Sequence, residues 1–245
     1  MSDSAVGTVI ELAGVTHTFP DGRERKVVLD SVDFALRKGE LVAVMGRSGS
    51  GKSTLLNIVA GLLQPDSGRV VLGQTLLGKC SRRELASLRR SQYGIVFQRN
   101  NLIEALSIVE NVALPLELNG VKPHIARAQA QLVLADQGLG EIADLHPSSV
   151  SGGQRQLAAV LAALSSRRNI LLADEPTGAL DSTAGDEVMR LIRTHIDAGA
   201  SGLFVTHDAR DAAWADRIIY IQDGLVSSDT GYSAFPTMII DGRER

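Results

Sequence analysis

Cysteine is all but missing from this 245-residue sequence: Cys80 stands alone. An internal disulfide is excluded, and a reducing compartment is the natural expectation. Cys80 also has no cysteine or histidine neighbours at metal-ligand spacing. Long apolar runs are missing too. Runs such as Leu157 to Leu164 and Ile170 to Ala173 fall well short of the roughly 18–20 residues that span a bilayer. The opening residues MSDSAVG carry no positive-then-apolar leader pattern. The chain is therefore expected to be cytosolic by itself, with any membrane span provided by another chain. Nor is there a surplus of either charge. The formal net charge is −3, which supplies no global basic field for nucleic acid, and no nucleic-acid partner is expected. No internal repeat or low-complexity tract stands out.

What is present is the composition of a globular protein, 44% hydrophobic and 22% charged. The length suits one large domain or two closely joined lobes. Val9 to Leu12 and Val27 to Leu36 read as strands flanking a turn at Pro20-Asp21-Gly22. Leu41 to Met45 is a short, wholly apolar strand, and a helix follows over about Lys52 to Ala60. Val70 to Leu72 and Tyr93 to Phe97 read as strands, Arg82 to Arg90 as a charged helix. From about 100 to 169 the pattern is helical. Ser107 and Glu110 have capping-box spacing, and His124 to Asp136 and Ser151 to Leu164 suit helices. Strand and helix then alternate: Ile170 to Ala173, Ser182 to Ile196, Leu203 to Thr206, Ala209 to Trp214, Ile218 to Ile221 and Leu225-Val226. Such alternation predicts a parallel sheet with helices on both faces.

Three motifs carry chemistry. Gly46-Arg47-Ser48-Gly49-Ser50-Gly51-Lys52-Ser53, followed by Thr54, fits G-x-x-x-x-G-K-[ST] between a strand and a helix. Its glycines let backbone N–H groups converge on phosphate oxygens, and the helix adds its positive end. Lys52 supplies a charge for the β- and γ-phosphates, and Ser53 a hydroxyl for Mg2+. The second motif, Ile170 to Glu175, is an apolar strand that ends in two carboxylates. Asp174 is placed to hold Mg2+, and Glu175 to polarise an attacking water. The third, Ser151-Gly152-Gly153-Gln154, begins a helix. Capping explains Ser151 and Gln154, but not two exposed glycines at a helix N-terminus, which make a second anion site.

On these motifs the chain resembles the nucleotide-binding subunits of ABC transporters, over about Val9 to Val226. The fold implied is α/β: a P-loop NTPase core of RecA-like parallel sheet, an antiparallel β subdomain and a helical signature subdomain. The implied boundaries are one domain over 1–230, with core and β subdomain at about 1–98 and 170–230, helical subdomain at about 99–169, and a short tail at 231–245. The resemblance also assigns roles. Ser151 to Gln154 would contact the ATP held by a second copy, giving a homodimer with two ATPs at its interface. Gln98 would sense Mg2+ and the attacking water. Asp181 would couple the paired sites, and His207 would approach the γ-phosphate. Phe19 would stack on adenine where the family more often has tyrosine, core packing being the plainer alternative. His17, His124, His146 and His195 receive no role.

The sequence departs from the family in two places. Val150 replaces a usual leucine before the signature. In Gln156 to Leu164, QLAAVLAAL, Leu157 and Ala162 stand where arginines are usual. The run from Glu175 to Asp181, with Glu110-Asn111-Val112, looks most like the branch of macrolide-efflux, lipoprotein-release, haem-efflux and cell-division ATPases. That branch implies an integral-membrane permease partner, work at the cytoplasmic face of the membrane, and export or extraction of an amphiphile. Force transmission without cargo, as in cell division, is the alternative. A chromosome-maintenance or repair ATPase would need a longer insertion. Residues of about 99–115, including Leu102, Ile103, Leu106 and Ile108, are expected to form the groove that receives the permease.

Overall fold

A computed structural model describes residues 7–22, 24–98, 102–166 and 168–231. The chain opens on a long hairpin, β1 (Thr8–Asp21) and β2 (Glu24–Arg37), paired from Thr8↔Arg37 to Asp21↔Glu24. Both strands run well beyond the expected cores. Register shifts along β1 twist the ribbon away from flatness. Next come β3 (Leu41–Met45), α1 (Lys52–Val59), β4 (Ser67–Leu72) and β5 (Thr75–Leu76). The hairpin and the last two strands form an antiparallel sheet of order β2-β1-β4-β5. β5 is too short to leave a period in the sequence. Helix α2 (Arg82–Gln92), with a capping box at Ser81 and Glu84, leads into β6 (Tyr93–Val96).

A helical segment follows: α3 (Ile108–Leu118), α4 (Pro123–Asp136) and α5 (Gly152–Leu164). Ser107 with Glu110 and Ser151 with Gln154 form complete capping boxes, satisfying N–H groups that a helix start otherwise leaves bare. Among the described residues no strand lies between β6 and the next, β7 (Ile170–Asp174). Then come α6 (Ser182–Asp197), β8 (Ser201–Val205), α7 (Ala209–Ala212), β9 (Arg217–Gln222) and β10 (Leu225–Asp229).

These strands build a second sheet of order β10-β9-β3-β8-β7-β6, parallel except for β10. β3 and β8 are buried along their whole length, as parallel strands covered on both faces must be. Alternate residues of β3 serve different cores. Val42 and Val44 join α1 and the antiparallel sheet, while Leu41, Ala43 and Met45 join α6. Each large side chain so enclosed contributes about 1.5–3 kcal/mol. The helical segment has its own core around Ile108, Val112, Leu134 and Leu161. Leu157 packs against both this core and that of the parallel sheet. The usual arginine is thus replaced by an apolar contact between lobes.

The expected groove is partly corrected. Ile108 is fully buried in the helical core, and Leu102 packs partly against it. Ile103 remains 46% exposed. Arg99, Asn100 and Asn101, and the tail beyond Gly231, lie outside the described residues.

Candidate active site

The loop between β3 and α1 owes its shape to glycine. Gly46, Gly49 and Gly51 have φ of 148°, 80° and 105°, which side-chain-bearing residues rarely adopt. Two are also crowded. A Cβ on Gly46 would lie 2.2 Å from the Ile221 carbonyl oxygen, and one on Gly51 2.5 Å from that of Val28. The loop is therefore pressed between β9 and β2. Gly51 caps α1 without a side chain, so the first-turn N–H groups face outward as an anion cradle. Lys52 is 8% exposed, and its Nζ donates to the Gly46 and Arg47 carbonyls at 2.7 and 2.9 Å. The ammonium is thereby held over the loop.

Parallel strands deliver the acidic groups. Asp174 ends β7 beside the loop and accepts a hydrogen bond from Ser53. Burial holds its pKa above the usual carboxylate range. The neighbouring Glu175 charge adds to this, while Ser53 and Lys52 oppose it. One or two carboxylates with phosphate oxygens are the usual holders of Mg2+, and Asp174 with Ser53 fits that donor set. Glu175 follows at φ 48°, left-handed for a non-glycine residue. Its N–H still donates to Val205 at 3.0 Å. The turn swings its carboxylate between two side chains. Gln98 Nε2 donates to Oε2 at 3.2 Å, and His207 Nδ1 donates to Oε1 at 3.1 Å, since a carboxylate only accepts.

Gly46, Arg47, Ser48, Gly49, Gly51, Lys52, Ser53 and Thr54 line one cleft of about 670 Å³ with Gln98, Glu175 and His207. Such a volume accommodates a nucleotide-sized ligand. Lys26 and Val28 of β2 complete its wall. Neither residue is recognisable from sequence as part of the site, because only the tertiary fold lays β2 over the loop. Ser50 is buried beneath the loop.

Other expected residues stand apart. Phe19 is 41% exposed and does not line the cleft, though its cross-strand partner Lys26 does. Its ring meets His17 edge-on, 4.8 Å between centroids. Ser151, Gly152, Gly153 and Gln154 are likewise not part of the cleft. Asp181 caps α6, accepting from Thr183 and Ala184 N–H at 3.0 Å. It also lines a separate hollow of about 220 Å³ with Glu175 and His207.

Gln156 was missed as well. It is 1% exposed, and its Nε2 donates to the Pro176 carbonyl at 2.8 Å. The helix after the signature is thus tied to the turn that carries Glu175. A glutamine at the head of an otherwise apolar run was the available signal.

Comparisons with known proteins agree with this geometry. A family model described as ABC transporter matches residues 29–178. The macrolide export ATP-binding/permease protein MacB of Azoarcus sp. (strain BH72) is 44% identical over 95% of this chain and 36% of its own length. The same protein of Chromobacterium violaceum is 42% identical over 93% and 35%. The chain spans about a third of the length of these relatives. The dimeric post-hydrolysis structure of the ATP-binding cassette MJ0796, bound to ADP and Pi, superposes with a TM-score of 0.86. It is 38% identical and covers 90% of this chain and 97% of that one.

Proposed function

The chain belongs to the ABC transporter family, and on that premise we propose that it binds and hydrolyses ATP to drive a membrane permease. The observation that carries this reading is the Glu175 carboxylate, held between Gln98 and His207 at the mouth of the Gly46–Thr54 cleft. Backbone N–H groups of the loop and Lys52 bind the phosphates. Glu175 takes a proton from the attacking water. Gln98 orients that water, and His207 holds Glu175 and approaches the γ-phosphate. Ser53, Asp174 and Gln98 would hold Mg2+, which supplies charge neutralisation on the phosphate oxygens when bound. Phe19, beside Lys26, stacks on the base.

We further propose that the active form is a homodimer enclosing two ATPs. Ser151 to Gln154 lie away from the chain's own cleft, so a second copy must present them. The cassette MJ0796, which this chain resembles, is a dimer. Asp181 then sits where the two sites communicate. Residues 1–230 are read as one ATPase domain with its helical subdomain at about 99–169, and 231–245 as a tail. Among the described residues no helix is long and apolar enough to cross a membrane. The proposed place of action is the cytoplasmic face of the membrane, through permease subunits. The activity for which the relatives are named, macrolide export, supports a drug or another amphiphile as cargo.

Glu175→Gln tests the core of this reading. It should keep ATP binding, lower hydrolysis by about 10²–10⁴-fold and trap a dimer visible by size-exclusion chromatography with ATP. Hydrolysis at the wild-type rate would remove Glu175 from the base role. Lys52→Ala should weaken ATP binding, and unchanged affinity would contradict the role given to the loop.

A further inference from the structure

Asp211 sits on the short helix α7 and is 8% exposed. It faces the hollow beneath Glu175 and His207. One of its oxygens, Oδ2, accepts two hydroxyls. One comes from Thr177, in the turn that leaves β7, at short range. The other comes from Thr206, in the turn that leaves β8, at 3.2 Å. Thr206 is itself anchored. Its N–H donates to Val44 of β3 at 3.1 Å, and its Oγ1 accepts from Asp208 N–H at 3.0 Å.

β7 and β8 are bonded neighbours up to Asp174↔Val205, with a last rung from Glu175 N–H to the Val205 carbonyl. Beyond that rung the two turns diverge, one carrying Glu175 and the other His207. The His207 side chain is 67% exposed, so packing does not set its pose. The position of its turn must. We propose that Asp211 is a positioning residue for hydrolysis: a buried carboxylate that ties Thr177 to Thr206 and so fixes Glu175 against His207. The exposed ion pair of Arg210 with Asp186, at 3.5 Å, adds little to this tie in water. A buried carboxylate doubly bonded through one oxygen is far more directional.

This inference rests on the catalytic reading of Glu175 and His207, and the experiment separates the two. Steady-state ATPase kinetics of the full chain should show Asp211→Ala lowering kcat about 10- to 100-fold, as expected for misplaced catalytic groups, with KM for ATP within about twofold. Asp211→Asn keeps a carbonyl oxygen that can accept both hydroxyls and should restore kcat to within about threefold of wild type. In a His207→Ala background, Asp211→Ala should cost less than about threefold more, because its effect passes through the lost histidine. Independent, multiplying losses would overturn the proposal, as would an Asn variant as poor as Ala. Should Asp211→Ala not fold, Thr206→Val and Thr177→Val remove the two hydroxyls with little change of shape and must reproduce the kcat loss. Full hydrolysis by Glu175→Gln would instead sink the catalytic reading, whatever Asp211 does.

Discussion

Three glycines of the phosphate loop allow backbone strain to be separated from crowding. Gly49 has φ 80° and nothing within 4 Å of a built Cβ. Gly49→Ala therefore adds only the left-handed penalty, about 1–2 kcal/mol. Gly51→Ala adds the same kind of strain at φ 105°. It also places a methyl 2.5 Å from the Val28 oxygen and 2.9 Å from Leu29 Cδ2. The first contact is with backbone in a paired strand, so β2 or the start of α1 must move. Overpacking of that kind costs about 1–3 kcal/mol more. Gly46→Ala, 2.2 Å from the Ile221 oxygen, should be at least as costly. For a domain of this size each kcal/mol lowers Tm by about 2–4 °C. Thermal melts without nucleotide should thus rank Gly49→Ala mildest, about 2–8 °C down, with Gly51→Ala and Gly46→Ala lower by several degrees more. A Gly51→Ala melting point equal to that of Gly49→Ala would refute the claim that β2 clamps the loop.

Asp174 gives a prediction of opposite sign. Burial raises its pKa in the folded chain, so its ionised form opposes folding above that pKa, and the penalty fades as pH falls through it. Asp174→Asn should raise Tm of the nucleotide-free protein at pH 7, gain less near pH 4, and lose Mg2+-dependent hydrolysis; melts across pH beside ATPase assays check all three. Ile103→Asp should leave Tm within about 2 °C, because the side chain is nearly half exposed and outside the helical core. Substrate-stimulated ATPase in the assembled transporter should nevertheless be lost, and normal transport by this variant would misplace the permease groove.

Much of the site was legible because its chemistry is local. A Gly-rich turn after an apolar strand, carboxylates at a strand end and a capped glycine pair are written in consecutive residues. Boundaries were blurred where ladder pairing, not composition, decides. β1 runs on to Asp21 because Phe19, Pro20 and Asp21 find partners on β2. Tyr93 to Phe97 loses its last residue because the rungs with β7 end at Val96↔Ala173. Ile108 looked like groove material and proved to be core, since apolarity alone does not say which face of α3 is covered. Lys26, Gln156 and Asp211 were unreadable as site residues for a stricter reason. Their partners, the loop, Pro176 and Thr177, lie 20 or more residues away in sequence. Only the folded topology brings them near.

The strand order also carries a consequence for synthesis. β3, which launches the phosphate loop, takes its sheet partners from β8 and β9, and Gly46 leans on Ile221. Contacts this distant in sequence form slowly, and a chain emerging from the ribosome lacks them for most of its translation. The loop near residue 50 must therefore wait until residue 221 has emerged before it takes its binding shape. Nascent fragments that stop short of β9 should be blind to ATP, and the nucleotide engages a chain only after both sheets have closed around its cradle.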